Sequence, residues 1–374
     1  MSAAELTART GLSRSKVGQE LARMRTTGVI EDAGLAASQG GRRSGLVALS
    51  GRLRFVGVDI GATSLDVVVT DARLTVLART GEAADVKDGA EAVLERAVAL
   101  VEELRAAGHL PELHGAGVGV PAPVRFRDGH AVSPPLMPSW DRFPVRDFLS
   151  ERLGCPVLVD NDVNLMALGE RHAGPARSVS DFLFVKVGTG VGCGIVCDHR
   201  LYRGGTGSAG DVGHLALEDE GPRCACGRTG CLEAWFSGAA LARDGLELAR
   251  AGESPLLARR LEERGAVTAE DVGEAVLEGD PRALELVRAG SRRLGRVLAG
   301  LVNFYNPLLI VVGGGVARLG PPMLAEIRSE VYRRSTPLAT SDLPIVLSEL
   351  GPDAGGVGGA ALIGGHVLGL GAGL

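Results

Sequence analysis

Apolar and polar positions follow two different rhythms along this chain. Near its start, Val17, Leu21 and Met24 recur at the i, i+4, i+7 spacing of one helical face. Arg14, Lys16, Gln19 and Arg23 fall on the opposite side. Ser13 supplies the cap of this helix, and Gly28 its stop. Upstream, Ser2 and Glu5 have the spacing of a capping box, and Gly11 ends the short helix they begin. Two short apolar runs, residues 29–30 and 46–49, read as strands, with Gly40, Gly41, Arg42 and Arg43 at the tip between them. Two helices, a tight turn and a two-stranded wing make a winged helix-turn-helix. The same residues also suit a charged surface helix followed by a polar loop.

From residue 55 the rhythm becomes that of strands. Residues 55–63 and 65–69 read as strand, glycine turn, strand, and residues 182–188 and 192–196 repeat the unit. Between the units lie a helix at 89–107, strands at 115–120 and 156–159, and a helix beginning at 164–171. Helical periodicity dominates residues 237–300, and a strand at 308–312 runs into Gly313, Gly314 and Gly315. A strand–turn–strand unit that occurs twice predicts a duplicated, two-lobed α/β body with a cleft between the lobes.

Composition sharpens this picture. Aromatic residues are only 3% while glycine reaches 55 of 374 residues, so the cores must pack chiefly on Val, Leu and Ala. The net charge of −5 argues against a general polyanion binder, but residues 1–50 carry seven Lys/Arg against four acids. The head is therefore the basic part of an acidic chain. No apolar run is long enough to span a bilayer and no secretory segment opens the chain, which predicts a cytoplasmic protein with no membrane partner.

Three of the six cysteines, Cys224, Cys226 and Cys231, are crowded into eight residues. In a reducing compartment such crowding reads as a metal site rather than disulfides. His214 is the natural fourth ligand, and a closed Cys3His set is the pattern of a structural Zn²⁺. Cys155, Cys193 and Cys197 lie in apolar stretches and read as core thiols. The turns Asp59-x-Gly61-x-Thr63 and Gly188-Thr189-Gly190 allow backbone N–H groups to approach phosphate oxygens, and Asp59 could hold a nucleotide's Mg²⁺. Gly313 and Gly314 would leave room for a nucleoside. Asp162, at the end of a strand beside Asn161, suits a general base for a sugar hydroxyl, and equally suits the cap of the helix that follows.

These stretches resemble the ROK family of repressors, open reading frames and sugar kinases. The resemblance runs through residues 51–374 and rests on residues 59–63, 118–124, Asn161-Asp162, 188–192, Gly213-His214 and 224–233. It implies an actin-like, ribonuclease H-like sugar-kinase fold. The implied parts are a first lobe at 51–172, to which 360–374 returns, and a second lobe at 173–359 carrying the zinc loop. It further implies that Asn161, Asp162, Asp211, His214 and Glu233 contact a sugar, with Asp162 the base. Residues 1–50 resemble the winged helix-turn-helix of the family's repressor branch, which normally has a further helix before the one at Ser2. The expected start then lies upstream, or the head is trimmed.

Three positions depart from the family pattern. Asp211 stands where a longer Glu is usual, Ala122 where a Gly is usual, and Ser64 where a Lys often follows Thr63. The function expected is a sugar-responsive transcription regulator. Arg14, Lys16, Gln19, Arg23, Arg42 and Arg43 would meet operator DNA, and a hexose or derivative would fill the cleft of a homodimer or homotetramer. The alternative is an ATP-dependent hexose kinase needing Mg²⁺.

Overall fold

Ser2 and Ser13 start the first two helices as their spacing predicts. In the computed structural model, which describes residues 1–36, 43–132, 134 and 137–370, Ser2 Oγ accepts from Glu5 N at 3.2 Å, and Glu5 Oε2 accepts in return from Ser2 N at 2.6 Å. This capping box opens α1 (Ala3–Thr10), and Gly11, at φ 68°, closes it. Ser13 caps α2 (Arg14–Thr26) by accepting from Lys16 N at 3.2 Å. An antiparallel hairpin follows, β1 (Ile30–Leu35) with β2 (Gly45–Leu49). Strand β1 is longer than its apolar residues suggest, because Glu31, Asp32 and, past a bulge, Leu35 pair while exposed and show no alternation to read. Val17, Leu21 and Val47 form the buried centre of this head, with Leu6 and Ile30 against them. Met24 is only half-buried. Each fully buried side chain contributes roughly 1.5–3 kcal/mol, so this core is small. Gly40, Gly41 and Arg42 of the expected wing tip lie outside the described residues.

The body repeats one design. Strands β3 (Phe55–Ile60), β4 (Ser64–Thr70) and β5 (Val76–Ala83) form an antiparallel meander. After α3 (Ala90–Ala106), β6 (Gly115–Val120) pairs parallel to β3. The small hairpin β7 (Val124–Arg125), β8 (His130–Ala131) and helix α4 (Val145–Leu153) lead to β9 (Val157–Asn161), parallel to β6. The sheet order is β5-β4-β3-β6-β9. Helix α5 (Asp162–Ala173) then crosses to the second sheet.

There β10 (Phe182–Val187), β11 (Val191–Cys197) and β12 (Arg200–Leu201) form another antiparallel meander. The helices α6 (Leu232–Trp235), α7 (Gly238–Arg250), α8 (Pro255–Arg264), α9 (Ala269–Leu277) and α10 (Pro281–Tyr305) follow. Strand β13 (Leu309–Gly313) pairs parallel to β10, and after α11 (Pro321–Arg334) and α12 (Pro337–Thr340), β14 (Ile345–Leu347) pairs parallel to β13. The order β12-β11-β10-β13-β14 matches that of the first sheet strand for strand.

Two helices fill the space between the sheets. Helix α5 packs on β10 and β11, and α13 (Asp353–Val367) packs on α5, β3 and β6. The approach of α13 is backbone to backbone. A Cβ on Gly57 would lie 1.7 Å from Gly356 O, and one on Gly117 would lie 2.0 Å from Gly359 O. Only glycine permits that contact. The helix that packs on the first sheet begins at Asp353, seven residues before the returning segment expected from 360. A helix buried on every side has no amphipathic pattern to mark its start. Residues 371–374 lie outside the described residues. Among the described residues, no helix is long and apolar enough to cross a membrane.

Candidate functional site

The C-terminal end of β9 delivers Asn161 and Asp162 to the mouth of the cleft. Asn161 caps α5: its Oδ1 accepts from Val163 N at 3.0 Å and Asn164 N at 3.3 Å. Its Nδ2 donates to Ala122 O at 3.1 Å and to Asp162 Oδ1 at 3.0 Å. The cap is thus Asn161, and Asp162 is the first helical residue, left to face the cleft. Ala122 is buried and is not among the positive-φ residues, so it replaces the usual Gly without backbone strain.

Asp162 has a partner that sequence reading missed. Lys186, on β10, forms an ion pair with Asp162 Oδ2, and both side chains are largely buried. Burial disfavours the charge on Lys186. The carboxylates of Asp162 and Asp59 outweigh it and hold the ammonium charged, above the usual lysine range. Asp59 is pushed up to about 7 by burial, with Asp162 and Asp66 adding to the effect and Lys186 opposing it. Lys186 is the one charged residue in the apolar strand Phe182–Val187, but nothing local in the sequence names its partner.

The cavity at this mouth measures about 490 Å³, large enough for a monosaccharide. Asn161, Asp162, Lys186, Thr189, Gly190, Asp211, His214 and Glu233 all line it, with Ala62 and Ala122. Asp59, Gly61, Thr63, Gly188, Gly313 and Gly314 do not line this cavity. Glu233 Oε2 accepts from Val191 N at 3.0 Å, which fixes the acid beside the Gly188–Gly190 turn. A Cβ on Gly190 would come within 2.5 Å of that same oxygen. Asp211 is half-exposed, and its Oδ1 lies 3.9 Å from His214 Nε2.

The other face of His214 looks into the cysteine loop. His214 Nδ1 lies 3.5 Å from Cys224 Sγ, and Cys226 Sγ lies 3.7 Å from Cys231 Sγ. The four ligand atoms all lie within 4.8 Å of one another. Metal–sulfur bonds of about 2.3 Å give a tetrahedron with edges of roughly 3.7 Å, so the donor set, two of whose separations are 3.5 and 3.7 Å, fits Zn²⁺ after a contraction of at most about 1 Å along its longest edge. Burial pushes the Cys224 thiol up to about 12. At Cys226 burial acts upward too, but hydrogen bonds from the backbone and side chain of Arg228 and from the neighbouring cysteines bring it down to about 6. His214 and Glu233 flank this loop, which ties the candidate metal site to the wall of the cavity.

In the head, Lys16 and Arg23 project from α2 and are exposed, as are Arg14 and Gln19. Both cations are held by one acid: Lys16 Nζ and Arg23 Nε each lie 2.9 Å from a Glu20 carboxylate oxygen. Arg43 is exposed, and Arg42 lies outside the described residues.

Comparison with known proteins adds a family to this geometry. The ROK family model matches residues 55–365. A glucokinase of Halalkalibacterium halodurans is 34% identical over 322 residues, covering 83% of this chain and 94% of the glucokinase. A xylose repressor of Bacillus spizizenii is 24% identical over 373 residues, covering 98% of this chain and 92% of the repressor. A crystal structure of a ROK family transcriptional regulator, described as a homologue of the E. coli MLC protein, matches with a TM-score of 0.83 at 25% identity. It covers 98% of this chain and 92% of that one. The chain belongs to the ROK family.

Proposed function

We propose that this protein is a sugar-responsive transcription regulator, a repressor by kinship. Its head binds operator DNA as a winged helix-turn-helix, and its cleft binds a hexose or a derivative. The observation that carries this reading is coverage: the xylose repressor and the MLC homologue match 98% of the chain, head included, whereas the glucokinase matches 83%. The alternation of basic and apolar positions on α2 supports the head's role. Asn161, Asp162, Asp211, His214 and Glu233 would hold the sugar, and a structural Zn²⁺ on His214, Cys224, Cys226 and Cys231 would keep that wall rigid. A palindromic operator would require a dimer or tetramer. Such a regulator works in the cytoplasm.

The experiment is a footprint of the purified, zinc-loaded protein on genomic fragments. It is run with and without glucose, xylose, mannose, fructose and N-acetylglucosamine. One of these sugars should change the affinity for a specific site at least tenfold. Absence of any specific site would overturn the reading. The retained Asp162 and the 34% identity to a glucokinase support a second reading, an ATP-dependent hexose kinase with Asp162 as base. A turnover on the order of 1–100 per second with Mg·ATP on any of these sugars would favour it.

A further inference from the structure

The duplicated fold sets two opposite charges at equivalent places. Asp59 is the fifth residue of β3 and pairs in register with Gly119 of the parallel strand β6. Lys186 is the fifth residue of β10 and pairs in register with Gly313 of the parallel strand β13. Each stands two residues before the glycine of its turn, Gly61 or Gly188. One repeat therefore offers a carboxylate to the space between the sheets, and the other offers an ammonium.

Both meet near Asp162. A Cβ on Gly119 would lie 3.1 Å from Asp162 Cα and 3.4 Å from Asp59 Oδ1, so the two acids flank one small point. Asp59 Oδ1 is buried and has no hydrogen-bond partner among the described residues. Lys186 closes the group from the other side. Its ammonium pairs with Asp162, and its stem lies along the second glycine turn, where a Cβ on Gly188 would meet Lys186 Cε at 3.1 Å.

A kinase's Mg·nucleotide does not fit this arrangement. It needs a carboxylate free to hold the divalent cation, open backbone at the glycine turn for phosphate oxygens, and a base with no fixed partner. Here an ammonium already serves the base, a methylene stem lies against the Gly188 end of the turn, and a divalent cation brought to Asp59 would be repelled by Lys186. We propose that Lys186 is a tethered cation in the place of the metal and phosphate partners of Asp59 and Asp162, so that the cleft takes its sugar without nucleotide. A sugar hydroxyl donates to Asp162 and keeps its proton, because the carboxylate is neutralised by a lysine rather than aligned with a phosphoryl acceptor. This rests on the reading of the cleft as a sugar site. It adds that one residue sets the cleft's choice between sensing and transfer.

The test is calorimetric titration of Mn²⁺ alone, and of Mg·AMPPNP, into the zinc-loaded full-length protein, its Lys186→Thr variant and its Lys186→Met variant. Wild type should show no saturable binding of either. The variants, with two neighbouring buried carboxylates left without their cation, should bind both at least tenfold more tightly. Lys186→Thr should also raise phosphoryl transfer from Mg·ATP to the sugar panel at least tenfold. Saturable binding of Mg·AMPPNP to wild type would overturn the proposal, as would variants that bind Mn²⁺ no better than wild type. The wild-type titration decides alone if neither variant folds. Sugar titration into wild type without nucleotide tests the sugar site separately, and sugar-dependent DNA binding would still stand if Lys186 proved irrelevant.

Discussion

Arg203 Nε lies 2.7 Å from Asp160 Oδ2, and this pair joins the two halves of the body. Asp160 belongs to β9 of the first sheet, while Arg203 follows β12 of the second and stacks 4.0 Å over the Phe126 ring. Asp160 is fully buried, and its other oxygen accepts from Asn161 N at 2.8 Å and Asn164 Nδ2 at 2.9 Å. The residues after Arg203, from Gly207 to Asp211, form one wall of the cavity at the cleft mouth.

Arg203→Ala leaves Asp160 buried with its charge unmatched. Breaking a buried pair from one side costs about 3–5 kcal/mol, far more than an exposed pair is worth. The denaturant midpoint should fall accordingly, and sugar affinity should fall with it as the 207–211 wall loosens. A loss of stability below about 1 kcal/mol would mean that water replaces the guanidinium freely.

The metal site gives the next expectation. The stretch between His214 and Cys231 has few partners of its own beyond the bridges Ala216 to Cys231 and Arg223 to Thr229. Ligand binding energy is folding energy in such a loop. Metal analysis should find one Zn²⁺ per chain, and Cys226→Ser should lose it. Chelation should lower the thermal midpoint and weaken sugar binding at least tenfold, because His214 and Glu233 lose their fixed positions. Protein without stoichiometric zinc that binds sugar normally would contradict this.

What could be read in the sequence follows from what kind of signal each part carries. Capping residues act locally, so Ser2, Ser13 and Gly11 mark the head helices without any tertiary knowledge. The cysteine spacing is local too, and His214 joins it as expected. Helix α13 carries no local mark in the sequence, because its glycines answer to Gly57 and Gly117, which are remote in sequence. Lys186 and Arg203 escape sequence reading for the same reason. A lysine in a strand and an arginine in a loop look like solvated charges until the fold brings Asp162 and Asp160 beside them. Ala122 differs again: its departure from the usual Gly would matter only at a positive φ, which the chain does not adopt there.

A pH effect is expected at the junction of the lobes. Glu170, on α5, is fully buried; its Oε1 accepts from Ser348 Oγ, and its Oε2 has no partner among the described residues. Burial, with the charge of Glu349 adding, pushes its carboxyl from 4.5 up to about 7 against the opposing bonds from Ser348 and Leu350. The folded state therefore holds this proton more tightly than the unfolded chain. The contribution is fully present below about pH 4.5 and is lost as pH rises through about 7, on the order of 2–3 kcal/mol. Glu170→Gln cannot ionise, so its stability relative to wild type should climb by that amount between pH 5 and 8. Parallel pH curves for the two proteins would refute the assignment.

The head carries the last prediction, which concerns specificity more than strength. Glu20 stands between Lys16 and Arg23 on the exposed face of α2 and pairs with both. Exposed pairs of this kind are worth at most about 1 kcal/mol, so Glu20 is not there chiefly for stability. On a surface proposed to meet DNA, an acid repels every phosphate and rewards only a base edge that donates, such as a cytosine amino group. Glu20→Gln should therefore leave the thermal midpoint nearly unchanged while tightening binding to non-operator DNA. The freed Lys16 and Arg23 can each reach a phosphate, and the dependence of log affinity on log salt should steepen by about 0.9 for each phosphate so neutralised. Operator affinity should rise less, or fall, so the ratio of specific to non-specific binding should drop. Arg23→Ala should act oppositely, weakening all sequences alike and flattening the salt dependence. Equal tightening on operator and non-operator DNA for Glu20→Gln would show that this acid faces away from the bases, and would turn another face of the head toward the groove.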